Sequence, residues 1–386
     1  MYDVVVIGGG PVGSHVAYKL AGMGHRVVVV EQKKRLGEPV CCTGIIGREC
    51  VSSFAIDENV ILRWVNSARL FSPSGRSVGM WRQEPFAAIV DRAAFDLALA
   101  IRAQHKGAEY VLDSSVTDVE FGDDRVRVQA VRQGKEASFE ARAVVIATGF
   151  SSRLVEKLKL GKVTDFVMGA QAEVEVTGVN EVEVYFNQEI APGFFAWLAP
   201  TSPQRALVGL ALYHSSGLYF RKLISWLVAQ GKIASIEAKP CFRAIPIKPL
   251  AKTYGERLVI VGDAAGQVKP TTGGGIYYGL LCADVAAENL HLALEDNDLS
   301  ARRLANYQRM WRRKLGRELR IDYYARKFYQ RLSDSQIDRV FDIIKSHHID
   351  EALLQTDSFF DWHGKAVLKL LGHRAISKVA NVMKSL

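Results

Sequence analysis

The chain has 386 residues, 48% of them hydrophobic and 24% charged, with a formal net charge of +9. That length favours two intimately joined domains over a single core. The composition excludes a disordered or collagen-like polymer, and no apolar run reaches the length needed to cross a bilayer.

Residues 2–7 (YDVVVI) read as a buried parallel strand and leave no room for a signal peptide. Gly8-Gly9-Gly10-Pro11-Val12-Gly13 follows and fits GxGxxG. An amphipathic helix from Ser14 to about Met23 and a second strand, Arg26–Val30, lead to Glu31. Each position has a task in a Rossmann-type unit. Gly8 permits the tight turn, Gly10 lets backbone approach a pyrophosphate, and Gly13 allows close helix–strand contact. The pyrophosphate would then rest on free N–H groups and the positive end of the helix dipole. Glu31, at the second strand's end, is placed for the ribose hydroxyls. Strand, glycines, helix, strand and acid together form the context that a lone glycine motif lacks.

The later segments bear on which dinucleotide it is. Val144 to Gly149 reads as a strand ending in a tight turn, and Leu258 to Gly266 as a strand opening into Gly262-Asp263-Ala264-Ala265-Gly266. Thr271-Thr272-Gly273-Gly274-Gly275-Ile276 then opens a helix expected over about Tyr277 to Leu294. Asp263, at a strand's carboxyl end, suits a ribityl or ribose hydroxyl. A glycine run at a helix start suits the flavin pole where negative charge grows on reduction. These segments, in this order, favour FAD. No second GxGxxG appears, so no dedicated nicotinamide domain is expected.

Between these segments, a hairpin is expected at Ala68–Ser72 and Ser77–Arg82 around Pro73-Ser74-Gly75. Alternating runs at Val167–Val176, Glu181–Phe186, Phe194–Leu198 and Ala206–Leu212 suggest an antiparallel sheet, with Phe194, Phe195, Trp197 and Tyr213 as its aromatic face. The fold class is therefore α/β (α+β). A Rossmann-type FAD-binding domain (1–51, 91–164, 251–298) carries an inserted antiparallel-sheet substrate domain (52–90, 165–250) and a C-terminal helical region (299–386).

The cysteines at 41, 42, 50, 241 and 282 form no CxxC pair, so reduced thiols in a cytoplasmic compartment and no metal site are expected. Residues 300–331 carry eleven Lys/Arg against Glu318 and Asp322. Residues 366–383 read as a basic amphipathic helix. An anionic membrane surface is a candidate partner for this charge, so a cytoplasmic protein, peripheral on the membrane's inner face, is expected; the plainer readings are a solvated helical face for 300–331 and a terminal helix capping the domain for 366–383. Nucleic acid is not expected, because no DNA or RNA motif accompanies the charge.

Taken together, the chain resembles the geranylgeranyl reductase family of the p-hydroxybenzoate-hydroxylase-like flavoproteins, over about residues 1–345. The flavoprotein part of the likeness rests on GGGPVG with Glu31, Val90-Asp91-Arg92, ATG at 147–149, GDAAG at 262–266 and TTGGGI at 271–276. The subgroup part rests on Pro39-Val40-Cys41-Cys42-Thr43-Gly44, on the 191–200 segment and on Gly316-Arg317-Glu318-Leu319. The resemblance implies FAD contacts at Val12, Gly13, Glu31, Cys42, Thr43, Ile45, Arg92, Val116, Asp263, Gly275 and Ile276. It also implies a catalytic role for Trp197 and substrate contacts at Phe195, Trp197 and Pro200; for the catalytic proton, water, the reduced flavin and Cys42 are the candidates. The implied activity is saturation of isolated C=C bonds in a geranylgeranyl or polyprenyl chain by proton plus flavin hydride, with NADPH or ferredoxin, a redox partner protein, as donor. Where the family has Tyr-x-Trp-x-Phe-Pro, this chain has Phe195, Trp197, Ala199 and Pro200, which alters the substrate pocket. A flavin monooxygenase or halogenase of the same fold is the alternative activity, although FAWLAP lacks the WxWxIP pattern. A non-catalytic flavin or lipid carrier is a third reading.

Overall fold

The computed structural model describes residues 1–150, 153–235, 237–355 and 359–364. The chain divides into two compact units, one of 1–40, 92–166 and 245–319, the other of 41–91, 167–244 and 320–386. Residues 41–51 thus group with the second unit, and the C-terminal region divides between the two after Leu319. The basic segment 366–383 lies outside the described residues.

The first unit is built on five parallel strands in the order Leu258–Ile260, Lys135–Ile146, Tyr2–Ile7, Val27–Val30, Glu109–Val111. Its centre is a run of Val and Ile with no exposed surface: Val4, Val5, Val6, Val28, Val29, Val144, Val145 and Ile146. Strands covered on both faces need such unbroken apolar runs, and β-branched side chains suit the pleat. Helices Arg92–His105 and Ile276–Glu295 both pack on helix Pro11–Gly22. Lys135–Ile146 begins well before the expected Val144. Its first half pairs antiparallel with Val126–Arg132, which pairs in turn with Ser114–Phe121.

The second unit has a seven-stranded sheet in which the two insertions merge, in the order Cys241–Pro246, Phe166–Glu175, Arg205–Leu212, Ala196–Pro200, Val182–Tyr185, Ser67–Phe71, Ser77–Trp81. The neighbours from Phe166–Glu175 through Val182–Tyr185 and the Ser67–Phe71/Ser77–Trp81 pair are antiparallel, as expected, and Val182–Tyr185 runs parallel to Ser67–Phe71. Helix Ser216–Ala229 covers one face, packing Phe220, Leu223 and Leu227 with Ala196, Leu198 and Leu210. A three-stranded sheet, Ile45–Gly47, Ala87–Val90 and Ile61–Val65, belongs to the same unit. No helix among the described residues is long and apolar enough to cross a membrane.

Candidate functional site

In the first unit the glycine loop joins strand Tyr2–Ile7 to helix Pro11–Gly22. Gly8 has φ +107°, and a Cβ there would stand 2.5 Å from the Ala147 carbonyl oxygen. A Cβ on Gly13 would stand 2.0 Å from the Gly8 oxygen, so helix and strand meet with no room for a side chain. Gly10 differs, since a Cβ built there meets nothing within 4 Å. The helix's N-cap is therefore an open cradle beside unsatisfied N–H groups, as a pyrophosphate requires.

Glu31 is buried, with one carboxylate oxygen accepting from the Gly9 N–H (2.6 Å) and the other from the Lys33 N–H (2.9 Å). The acid thus fixes the glycine loop, and its remaining lone pairs suit ribose hydroxyls. Two residues that the sequence reading missed brace the same loop. Ser14 Oγ donates to the Gly9 carbonyl (3.1 Å), and the Tyr110 hydroxyl donates to Ser14 Oγ (2.9 Å). Burial pushes the Tyr110 phenol up to about 12, against the Ser14 hydrogen bond, so it stays a donor at neutral pH.

Asp263 lies in a short turn, Gly262–Ala265, at the carboxyl end of Leu258–Ile260. Its Oδ1 is 2.5 Å from where a Cβ on Gly275 would be. The acid and the glycine run at the start of helix Ile276–Glu295 are therefore adjacent, and Ile276 is that helix's first residue. Val12 packs its side chain against Gly262 and Gly279. Arg92 begins helix Arg92–His105 and pairs with Asp96 at 2.7 Å. Val116 pairs with Ala130 in the antiparallel extension. The cradle at Gly10, the held acid Glu31 and the Asp263–Gly275 pair fit the ADP and flavin halves of FAD.

In the second unit the structure overturns one expectation. Cys41 and Cys241 form a disulfide with Cα atoms 5.8 Å apart, across 200 residues of sequence, and Cys42, Cys50 and Cys282 stand outside it as thiols. Cys50 and Cys282 are buried, and burial pushes the Cys282 thiol far up, which makes it inert. Cys42 is half-buried, and its Sγ accepts from the Gly44 N–H at 3.4 Å. Gly44, at φ +72°, turns the chain into strand Ile45–Gly47, where Ile45 pairs with Ile89.

Thr43 Oγ1 donates to Gln171 Oε1 at 2.6 Å. Gln171 stands opposite Gly209, and Gly209 opposite Trp197, so the three occupy one face of the seven-stranded sheet. The Trp197 ring fills the space over Gly209, where a Cβ would stand 2.3 Å from its Cζ2. On this face Trp197 and Ala199 pack in a cluster with Ile45, Ile89 and Phe86. The Cys42–Thr43 turn and Trp197 are thus joined through Gln171, a residue the sequence reading did not single out. A polar side chain inside the apolar run 166–174 was its signal.

The expected aromatic face divides. Phe194 is fully buried, stacks on Phe195 (4.5 Å), and has the Arg326 guanidinium 3.7 Å from its ring centre. Phe195 meets Trp197 edge-on at 6.0 Å, and the Trp197 indole N–H is buried with no hydrogen-bond partner among the described residues. Tyr213 faces Arg326 and Lys327. Pro200 is buried and pairs with Ala206.

A family model described as pyridine nucleotide-disulphide oxidoreductase matches residues 2–180. A digeranylgeranylglycerophospholipid reductase of Methanocaldococcus jannaschii is 32% identical over 353 residues, covering 88% of this chain and 89% of the relative. In fold, the chain is similar to a geranylgeranyl bacteriochlorophyll reductase-like protein of Thermoplasma acidophilum, with a TM-score of 0.86, 23% identity and 99% of both chains covered. It is also similar to p-nitrophenol 4-monooxygenase of Pseudomonas putida, with a TM-score of 0.72, 18% identity and 92% and 96% covered.

Proposed function

The chain belongs to the geranylgeranyl reductase family of FAD-dependent oxidoreductases, and from that membership we propose that its substrate is a lipid bearing geranylgeranyl chains, a digeranylgeranylglycerophospholipid in the first instance. The observation that carries this reading is the 32% identity spread over 88% of the chain. The reaction adds two hydrogens across an isolated C=C bond. Such an alkene has no carbonyl to polarise it, so a proton must arrive at one carbon as hydride arrives at the other. When bound, reduced FAD supplies the hydride.

The chain's own residues hold and shield. Gly10 and Gly13 admit the pyrophosphate to the helix N-terminus, Glu31 takes the ribose, and Asp263 and Gly275 take the ribityl and ring end. Val12, Arg92, Val116 and Ile276 complete the first unit's contacts. In the second unit Cys42, Thr43 and Ile45 are assigned to the flavin's reacting side, with Cys42 as the candidate proton-handling group. Gly44 aims the Cys42 thiol through a hydrogen bond within that turn, and Gln171 holds Thr43 from strand Phe166–Glu175. Trp197, Phe195 and Pro200 are assigned to the polyprenyl chain, where large apolar rings keep water away. Ala199, which packs with Ile89 and Phe86, puts a smaller side chain where the family has Phe.

NADPH and ferredoxin are the two electron donors to be compared. The exposed cations on helix Ala301–Tyr329, among them Arg302, Arg309, Arg312, Arg313 and Lys314, suit an anionic membrane that holds the lipid. Liposome co-sedimentation should show binding that rises with anionic lipid and falls with salt; binding indifferent to both would exclude an electrostatic membrane surface. The substrate assignment is tested by incubating the reduced enzyme with the phospholipid and weighing the product. A gain of two hydrogens per saturated bond is expected, and an unchanged lipid mass would reject it. The monooxygenase alternative predicts an added oxygen atom instead.

A further inference from the structure

His25 follows helix Pro11–Gly22 and precedes strand Val27–Val30, while His291 and Glu295 stand one turn apart near the end of helix Ile276–Glu295. All three belong to the first unit. His25 Nε2 and His291 Nδ1 approach to 2.9 Å, with the rings edge-on at 62° and centroids 5.1 Å apart. One carboxylate oxygen of Glu295 joins them, so that the three ligand atoms lie within 4.8 Å of one another.

The geometry points to a Zn²⁺ site made by His25, His291 and Glu295. Two imidazole nitrogens and one carboxylate oxygen are the borderline donor set that Zn²⁺ takes, usually with tetrahedral geometry. Zn–N bonds of about 2.0–2.1 Å place two tetrahedral nitrogens roughly 3.3 Å apart. The observed 2.9 Å therefore has to open by about 0.4 Å, and both rings have to turn so that their lone pairs converge on the ion that replaces the proton between them. Glu295 is exposed and His291 half-buried, which leaves the fourth position to water, whereas buried His25 anchors the site. The other charged groups near His25 are Asp3 and Arg142, which pair with each other at 3.2 Å.

The sequence gives no sign of a metal site, and this proposal departs from that expectation. The two histidines are 266 residues apart and carry no spacing signature. An ion here would clamp the end of helix Ile276–Glu295 to the start of the strand that leads to Glu31. Both elements carry residues assigned to the cofactor, so the ion would brace that unit by binding its folded form.

The test uses the untagged, FAD-loaded chain after passage over a chelating resin, titrated with Zn²⁺ by calorimetry. His291→Ala and the exposed-site variant Glu295→Gln are titrated beside it, and flavin absorbance reports that each is folded. Because thiols also take zinc, the difference between wild type and variants is the reading. One equivalent should bind to the wild type and raise its melting temperature; His291→Ala should lose that equivalent and Glu295→Gln should bind it more weakly. Isotherms and melting shifts alike in all three would overturn the site. Loss of fold in His291→Ala leaves Glu295→Gln to decide, and undiminished binding there would overturn it equally.

Discussion

Gly10 and Gly13 sit in one motif yet answer to different constraints, and substitution separates them. A side chain at Gly13 would stand 2.0 Å from the Gly8 carbonyl, whereas one at Gly10 meets open space. Gly10→Val should therefore keep the FAD-free chain's melting temperature while lowering FAD affinity, and Gly13→Ala should lower both. Equal FAD affinity in wild type and Gly10→Val would remove the pyrophosphate from that cradle. The thiols give a second residue-level test. With FAD removed, a thiol reagent should label Cys42 alone in the native chain, three cysteines after unfolding, and five after reduction as well. Extra native labelling would deny the Cys41–Cys241 bond. Cys42→Ser should depress turnover with FAD still bound, and full activity would end the catalytic assignment. Glu31 and the glycines were legible because their contacts are local in sequence. The disulfide, Gln171 and the His25–His291 approach were not, because each depends on a fold that brings distant segments together.

At the scale of elements, strands Tyr2–Ile7 and Val27–Val30 announce themselves as unbroken Val/Ile runs, and the hairpin Ser67–Phe71/Ser77–Trp81 by its Pro73-Ser74-Gly75 turn. The parallel join between Ser67–Phe71 and Val182–Tyr185 had no such mark, since either insertion alone reads as a separate antiparallel piece. Strand Lys135–Ile146 was read short because its first half alternates, half-exposed, before the buried run begins. Asp338 on helix Asp334–Ser346 pins the hairpin turn, accepting from Ser72 Oγ (2.5 Å), Ser74 Oγ (2.8 Å) and the Ser74 N–H (3.2 Å). Partial burial pushes this carboxyl up, but the hydrogen bonds from Ser72 and Ser74 outweigh it and hold the group below the usual range. A depressed carboxylate adds stability that is fully present above its ordinary value and is lost as pH falls through its lowered folded-state value. Asp338→Ala should cost about 1–2 kcal/mol at neutral pH, a figure that allows for solvent screening. Denaturant titrations of variant and wild type should converge as pH falls below the ordinary carboxylate range. A gap that persists there would mean that Asp338 acts by packing, not charge.

For the whole molecule, the two units divide the work: the first carries the nucleotide motifs, and the second carries the Cys42 turn and the Trp197 sheet. The cofactor was legible because its motifs lie in contiguous stretches. The substrate assignment rests on likeness alone, because Phe195 and Ala199 depart from the family pattern and the sheet that holds them is assembled from two insertions. The central claim is that electrons pass from reduced FAD to an isolated double bond of a geranylgeranyl lipid. The direct measurement reduces the enzyme with dithionite under strict exclusion of oxygen, adds the lipid, and follows the flavin absorbance. Reoxidation that depends on the lipid, stops when its double bonds are exhausted and slows in Cys42→Ser is the expected result. A flavin that stays reduced until oxygen is admitted would contradict the account.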